Sequence, residues 1–152
     1  MDYELVKLKG KEFYEVLESE ITEAEKAMGI SIPDELKEFY RNLGYGFFCS
    51  EQGNINRLMD PLSIRDFRLR QNDFKYYPDI QLYDYFEENK LIFFEVNESM
   101  LFSIQTNAEG KCKIYNYNKV IADSLEEFVT KIIENEIFYR ELIWNSGKKK
   151  ND

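Results

Sequence analysis

Residues 21–40 read ITEAEKAMGISIPDELKEFY, and a few positions in that stretch punctuate the chain. Thr22 and Glu25 stand at the spacing of a capping box, in which a hydroxyl and a carboxylate satisfy the free amides of a helix start. A short helix is therefore predicted from Thr22. Gly29 is placed to end it in a left-handed conformation, where a missing Cβ removes the steric cost. Pro33 falls at or beside the first position of the next helix, which has no use for its absent N–H. Asp34 and Glu35 complement the positive end of that helix's dipole. Leu36, Phe39, Tyr40 and Leu43 give it a buried stripe. Gly44 and Gly46 then break it.

Upstream, Phe13, Val16, Leu17 and Ile21 share one helical face, which predicts a helix over residues 11–20. Downstream, Tyr45-Gly46-Phe47-Phe48 and residues 54–59 read as strands around a turn. Asp60-Pro61 opens a helix to about Gln71, with Ile64 and Phe67 inward and Asp66 paired to Arg70 at i, i+4. Residues 79–89 suit another short helix. Residues 91–96 are rich in β-formers and read as a central strand. Asn97-Glu98-Ser99 turns into a second strand over residues 100–106. Ala108-Glu109-Gly110 turns into a third over 111–117, where Cys112, Ile114 and Asn116 alternate with Lys113, Tyr115 and Tyr117. Ser124 and Glu127 form another capping box. The helix they open carries Leu125, Phe128, Val129, Ile132, Ile133 and Ile137 on one face. Helices, an antiparallel meander and a closing helix describe an α+β domain, with N-terminal and C-terminal helices packed on an antiparallel β-sheet.

Composition narrows the chemistry. The 152 residues suit one domain, expected over residues 1–147, with KKKND at 148–152 as a flexible tail. There is no histidine, so Ser-His-Asp and Cys-His catalysis and His-ligated zinc are excluded; two cysteines alone make no zinc site. No catalytic residue, metal or cofactor is expected. Acidic residues outnumber basic ones 29 to 20, a net charge of −9, which argues against direct nucleic-acid binding and suits a basic partner. The opening MDYELVKLKG lacks a basic region followed by an apolar run, so no signal peptide is expected. The longest apolar run, Leu91-Ile92-Phe93-Phe94, is far too short to span a membrane. The cytoplasm is the expected location, and Cys49 and Cys112 the expected free thiols there, although a disulfide between them stays open.

Residues 21–40 resemble the opening of the SUKH superfamily, which includes the fungal Smi/Knr cell-wall regulators and many bacterial immunity proteins. The shared pattern is an acidic short helix, a Gly, a Leu/Ile-Pro step, an aromatic-bearing helix and a Gly-rich turn. The turn here is Asn42-Leu43-Gly44-Tyr45-Gly46, with a tyrosine inserted where the family often shows Asn-Gly-Gly. Val120-Ile121-Ala122-Asp123-Ser124-Leu125-Glu126-Glu127-Phe128 resembles the family's close, where a strand leads into a helix bearing a Phe. Size and character resemble the YobK-type antitoxins. The resemblance implies an immunity protein, not an enzyme, that occludes a cognate toxin domain, a nuclease by the same resemblance. The fungal members imply the alternative, a regulatory or scaffolding module with an endogenous partner.

The segment that fits such a partner is residues 73–88, DFKYYPDIQLYDYFEE, with five carboxylates and six aromatics. Tyrosines beside acids supply rigid anchors and a negative field together. The expected contacts are Tyr76, Tyr77, Asp79, Tyr83, Asp84, Tyr85, Glu87 and Glu88. Reversing Asp84 and Glu87 to Lys is expected to spare folding and weaken capture of a basic toxin. The plainer reading is a connection whose aromatics pack on the sheet. Arg57, Arg65, Arg68 and Arg70 could bind phosphate, but without a Gly-rich loop local pairing is favoured. Gly44-Tyr45-Gly46 is explained by helix termination, and Cys49 by a small buried residue. Glu95 and Glu98 could form a carboxylate pair, which would need a cleft and a raised pKa to do acid–base work.

Overall fold

A computed structural model describes residues 1–10, 12–48, 55–96, 100–106, 110–140 and 142. The first difference from expectation lies before residue 21. The chain opens with helix α1 (Tyr3–Lys9), where the Asp2 carboxylate accepts from the Leu5 N–H at 3.1 Å. Glu12–Tyr14 is then strand β1, not a helix. Phe13 alternates with exposed Glu12 and Tyr14 in the two-residue period of a strand, and its ring meets Phe39 and Phe48 edge-on. The helix that follows, α2 (Glu18–Met28), starts before Thr22. Thr22 sits inside it and donates back to the Glu18 carbonyl at 3.1 Å. Glu25 reaches out instead, accepting from the Ile32 N–H at 2.8 Å and pairing with Lys37 at 2.9 Å. The expected capping box is thus a staple across the next turn. Gly29 does end α2 in the left-handed region, φ 72.

Helix α3 (Asp34–Asn42) begins directly after Pro33 and buries Leu36, Phe39 and Tyr40. The Tyr40 hydroxyl donates to the Met59 carbonyl at 2.5 Å. Glu35 serves two distant segments: one carboxylate oxygen accepts from the Cys112 N–H at 2.7 Å and the Leu125 N–H at 3.3 Å. The strands β2 (Tyr45–Phe48), β3 (Asn56–Leu58), β4 (Lys90–Val96), β5 (Met100–Gln105), β6 (Ile114–Asn116) and β7 (Lys119–Ala122) join β1 in a seven-stranded antiparallel sheet whose spatial order is the chain order. Gly44 and Gly46 exist for this sheet. A Cβ on Gly44 would lie 1.8 Å from the Tyr14 carbonyl oxygen, and one on Gly46 2.0 Å from that of Glu12. Only glycines let β1 lie so close to β2.

β4 is central, as its composition implies. Leu58, Phe94, Phe102 and Asn116 stand in one row across β3 to β6. An irregularity between Ile92 and Phe94 inserts Phe93 into β4. Phe93, Phe94 and Phe102 then all meet the ring of Phe128, from helix α6 (Leu125–Glu134). Ile92, Leu101 and Ser103 lie on the opposite face and are also buried. The α6 capping box forms as expected: Ser124 Oγ accepts from Glu127 N–H at 3.0 Å, and the Glu127 carboxylate from Asp123 N–H at 2.8 Å. Ile137 lies beyond the helix end. Between β3 and β4, helix α4 (Pro61–Arg68) starts at an Asp60 cap and stops short of Gln71. Short 3-10 turns (Asn72–Phe74 and Ile80–Leu82) then lead to α5 (Tyr83–Phe86), one turn long. The Asn97-Glu98-Ser99 turn, Cys49 and any pairing it makes with Cys112, and the tail at 148–152 lie outside the described residues.

Candidate protein-binding surface

The stretch after α4 is shaped by backbone that only a few residues tolerate. Arg70, Asn72 and Asp79 all adopt left-handed conformations, φ 56, 53 and 57. These reversals fold residues 72–86 back over the end of α4. Phe67 is the hub: Phe74, Tyr77 and Tyr83 place their rings 5.2, 5.8 and 5.5 Å from it. Arg70, having left the helix, does not pair with Asp66 as its spacing suggested. Its guanidinium sits 5.0 Å over the Phe67 ring and donates to the Phe67 carbonyl at 2.6 Å. It also pairs with Asp84 at 2.8 Å and Glu87 at 2.7 Å. Arg68 donates to the backbone carbonyls of Glu87 and Lys90. Arg65 pairs with Asp66 and Glu23, and Arg57 with Glu95. The arginine cluster is therefore engaged in closing the fold.

The eight expected contact residues divide into an inner and an outer set. Tyr83 is buried and stacks on Tyr117 of the β6–β7 turn, with ring centres 5.7 Å apart. Burial pushes its hydroxyl pKa up, and the hydrogen bond with Tyr117 adds to the rise. Glu87 is only 5% exposed, and burial raises its carboxyl to about 7 despite the opposing pull of Arg70. One of its oxygens, Oε1, has no hydrogen-bond partner. Tyr77 is half-buried against Phe67 and Phe74. Tyr76 and Tyr85, 86% and 77% exposed, face solvent together with Asp79, Asp84 and Glu88. Tyr83, Tyr77 and Glu87 hold the surface from beneath; the other five present it.

This division corrects one expectation. Reversing Glu87 to Lys would bury an ammonium beside Arg70 and would not spare folding. Glu88 is the proper outward partner for Asp84. Glu87 has the raised pKa that acid–base chemistry would want, but its carboxylate is buried and pairs with Arg70. Glu95 is engaged by Arg57, and Glu98 lies outside the described residues. Among the described residues no group of three Cys, Asp or Glu side chains is placed to hold a metal ion, and no helix is long and apolar enough to cross a membrane. Tyr117 was the residue missed. Alternation along the predicted strand 111–117 set it opposite Cys112, Ile114 and Asn116, but it lies in the turn after β6, and its contact with Tyr83 joins segments far apart in sequence.

A seven-stranded meander with helices packed on it is an α+β domain of the kind that carries the SUKH pattern. The model of the SMI1 / KNR4 family (SUKH-1) matches residues 15–131, from the link after β1 into α6. The chain belongs to that family. It is 51% identical over 144 residues to the immunity protein YxxD of Bacillus subtilis (strain 168), a match covering 94% of this chain and 98% of the relative. The family resemblance carried by residues 21–40 and 120–128 is thereby met.

Proposed function

We propose that this protein is an immunity protein, an antitoxin that binds and occludes a cognate toxin domain, and that the toxin is a basic nuclease. The observation that carries the immunity reading is the near full-length similarity to an immunity protein at 51% identity. Family and relative alike place the chain among proteins that act by binding, not by catalysis. The nuclease reading has a different support, the charge of −9 and the outward carboxylates of Asp79, Asp84 and Glu88 beside two exposed tyrosines. A phosphate-binding cleft is cationic, so such a surface attracts it and accelerates capture. The inner residues hold the outer ones before the partner arrives, which lowers the ordering cost of binding. No chemistry follows; the substrate is excluded. A YobK-like domain over residues 1–147, working in the cytoplasm, completes the proposal.

The test captures the partner with tagged protein and assays the captured protein for nucleic-acid cleavage with and without this chain. Stoichiometric inhibition of nucleic-acid cleavage is the expected result. Asp84→Lys with Glu88→Lys should weaken the complex at least about tenfold, as for charges at a complementary interface, with no more than about 1 kcal/mol lost in stability from the exposed Arg70–Asp84 pair. Capture of signalling or housekeeping proteins without inhibition of any toxin would overturn the proposal and favour a regulatory module.

A further inference from the structure

Tyr117 completes a continuous set of rings with the segment beneath the proposed surface. It lies in the turn between β6 and β7 at φ 55. Its ring stacks on Tyr83 and meets Phe86 edge-on at 5.2 Å, and Phe86 meets Tyr85 at 5.2 Å. The set runs from buried Tyr83 through Tyr117 and Phe86 to Tyr85, and two of its members reach solvent, Tyr85 at 77% and Tyr117 at 37% exposure. Asp84 precedes Tyr85 on the α5 turn and Glu88 follows it by three positions, both exposed.

We infer that this patch takes an arginine side chain of the partner, with its guanidinium on the Tyr85 ring and its N–H groups on Asp84 and Glu88, while Tyr117 holds Phe86 and through it Tyr85 in place. The inference rests on the reading of the protein as a binder of a basic toxin, and adds a second chain segment and a specific side chain to it. Arginine fits better than lysine because the patch offers an exposed ring beside exposed carboxylates. A planar, weakly hydrated guanidinium uses both at once, whereas an ammonium is a strongly hydrated point charge. The same segment already holds an arginine in this manner. Arg70 lies over the Phe67 ring while pairing with Asp84 and Glu87. Charge agrees: the chain is at −9, and the lysine of the segment, Lys75, is placed over Tyr76 at 5.4 Å, not over Tyr85.

The test compares labelled octa-arginine and octa-lysine peptides by fluorescence anisotropy at 150 mM salt, with backbone amide shifts mapping the site. Octa-arginine should bind about three- to fivefold tighter, the scale of one or two exposed cation–π contacts. Shifts should centre on Tyr85, Glu88 and Tyr117. Tyr85→Ala, at a highly exposed position, and Tyr117→Ala should each erase the preference while leaving octa-lysine binding in place; Tyr117→Phe should keep it. Equal affinity for the two peptides, or a preference that survives Tyr85→Ala, would overturn the inference. The functional reading fails separately: toxin inhibition without an arginine preference sinks only this inference, and an arginine preference without toxin inhibition sinks only the immunity proposal.

Discussion

Glu87 and Glu88 are adjacent and chemically identical, yet one is interior and the other is in solvent. Residue-scale chemistry follows from that difference. Below pH 4.5, the ordinary value, Glu87 is neutral in both folded and unfolded chains and its contribution to stability is fully present. As pH rises toward 7 the unfolded carboxyl ionises while the buried one holds its proton, so that contribution is lost, and is gone once the folded group ionises near 7. Glu87→Gln should remove this dependence. Urea unfolding at pH 5 and pH 8 should show the wild type losing about 2 kcal/mol more than the variant across that interval. Equal losses would mean that Arg70 holds Glu87 ionised throughout. None of this was legible in the sequence, because the side chain's burial comes from the left-handed turns at Arg70, Asn72 and Asp79.

At the scale of elements, the glycines and capping residues carried most of the information, but not always in the role their spacing suggested. Ser124 and Glu127 cap α6 as read, because both groups act within one turn of chain. Thr22 and Glu25 show the same spacing and do something else, since the start of α2 is set upstream and Glu25 finds Ile32 and Lys37. Gly44 follows the end of α3, but Gly46 lies within β2, and for both the stronger demand is the approach of β1. Gly46→Ala should therefore loosen one edge of the sheet. Hydrogen exchange should show amide protection falling in β1 and persisting in β4, with a global cost of about 1–3 kcal/mol from the overpacked contact. Retained β1 protection would show that the strand can shift without losing its pairing.

For the whole molecule, Phe128 ties the last helix to the middle of the sheet through Phe93, Phe94 and Phe102. Phe128→Ala should cost about 3–5 kcal/mol, read as a lower denaturant midpoint with circular dichroism at low denaturant intact. A loss under about 1 kcal/mol would mean that the core closes around the gap. The proposed surface behaves differently, since its outer residues bear on capture and little on folding. Raising salt should weaken toxin capture by the wild type more than by the Asp84→Lys, Glu88→Lys variant, because screening removes an attraction that the variant lacks. A salt response identical in both would place the electrostatic contact on another face.

By itself the sequence determined the α+β class, the central strand β4, the closing helix with its cap, the exclusion of histidine chemistry and the family pattern at residues 21–40 and 120–128. Each depends on neighbours along the chain, on apolar periodicity or on residue types absent altogether. Only the tertiary structure decided that residues 12–14 form an edge strand, that Glu87 and Tyr83 turn inward while Glu88 and Tyr85 turn outward, and that Tyr117 joins them. Those outcomes depend on which distant segments meet. A carboxylate or a tyrosine carries no mark of its burial until a left-handed turn, a close backbone crossing or a stacked ring from another strand has placed it.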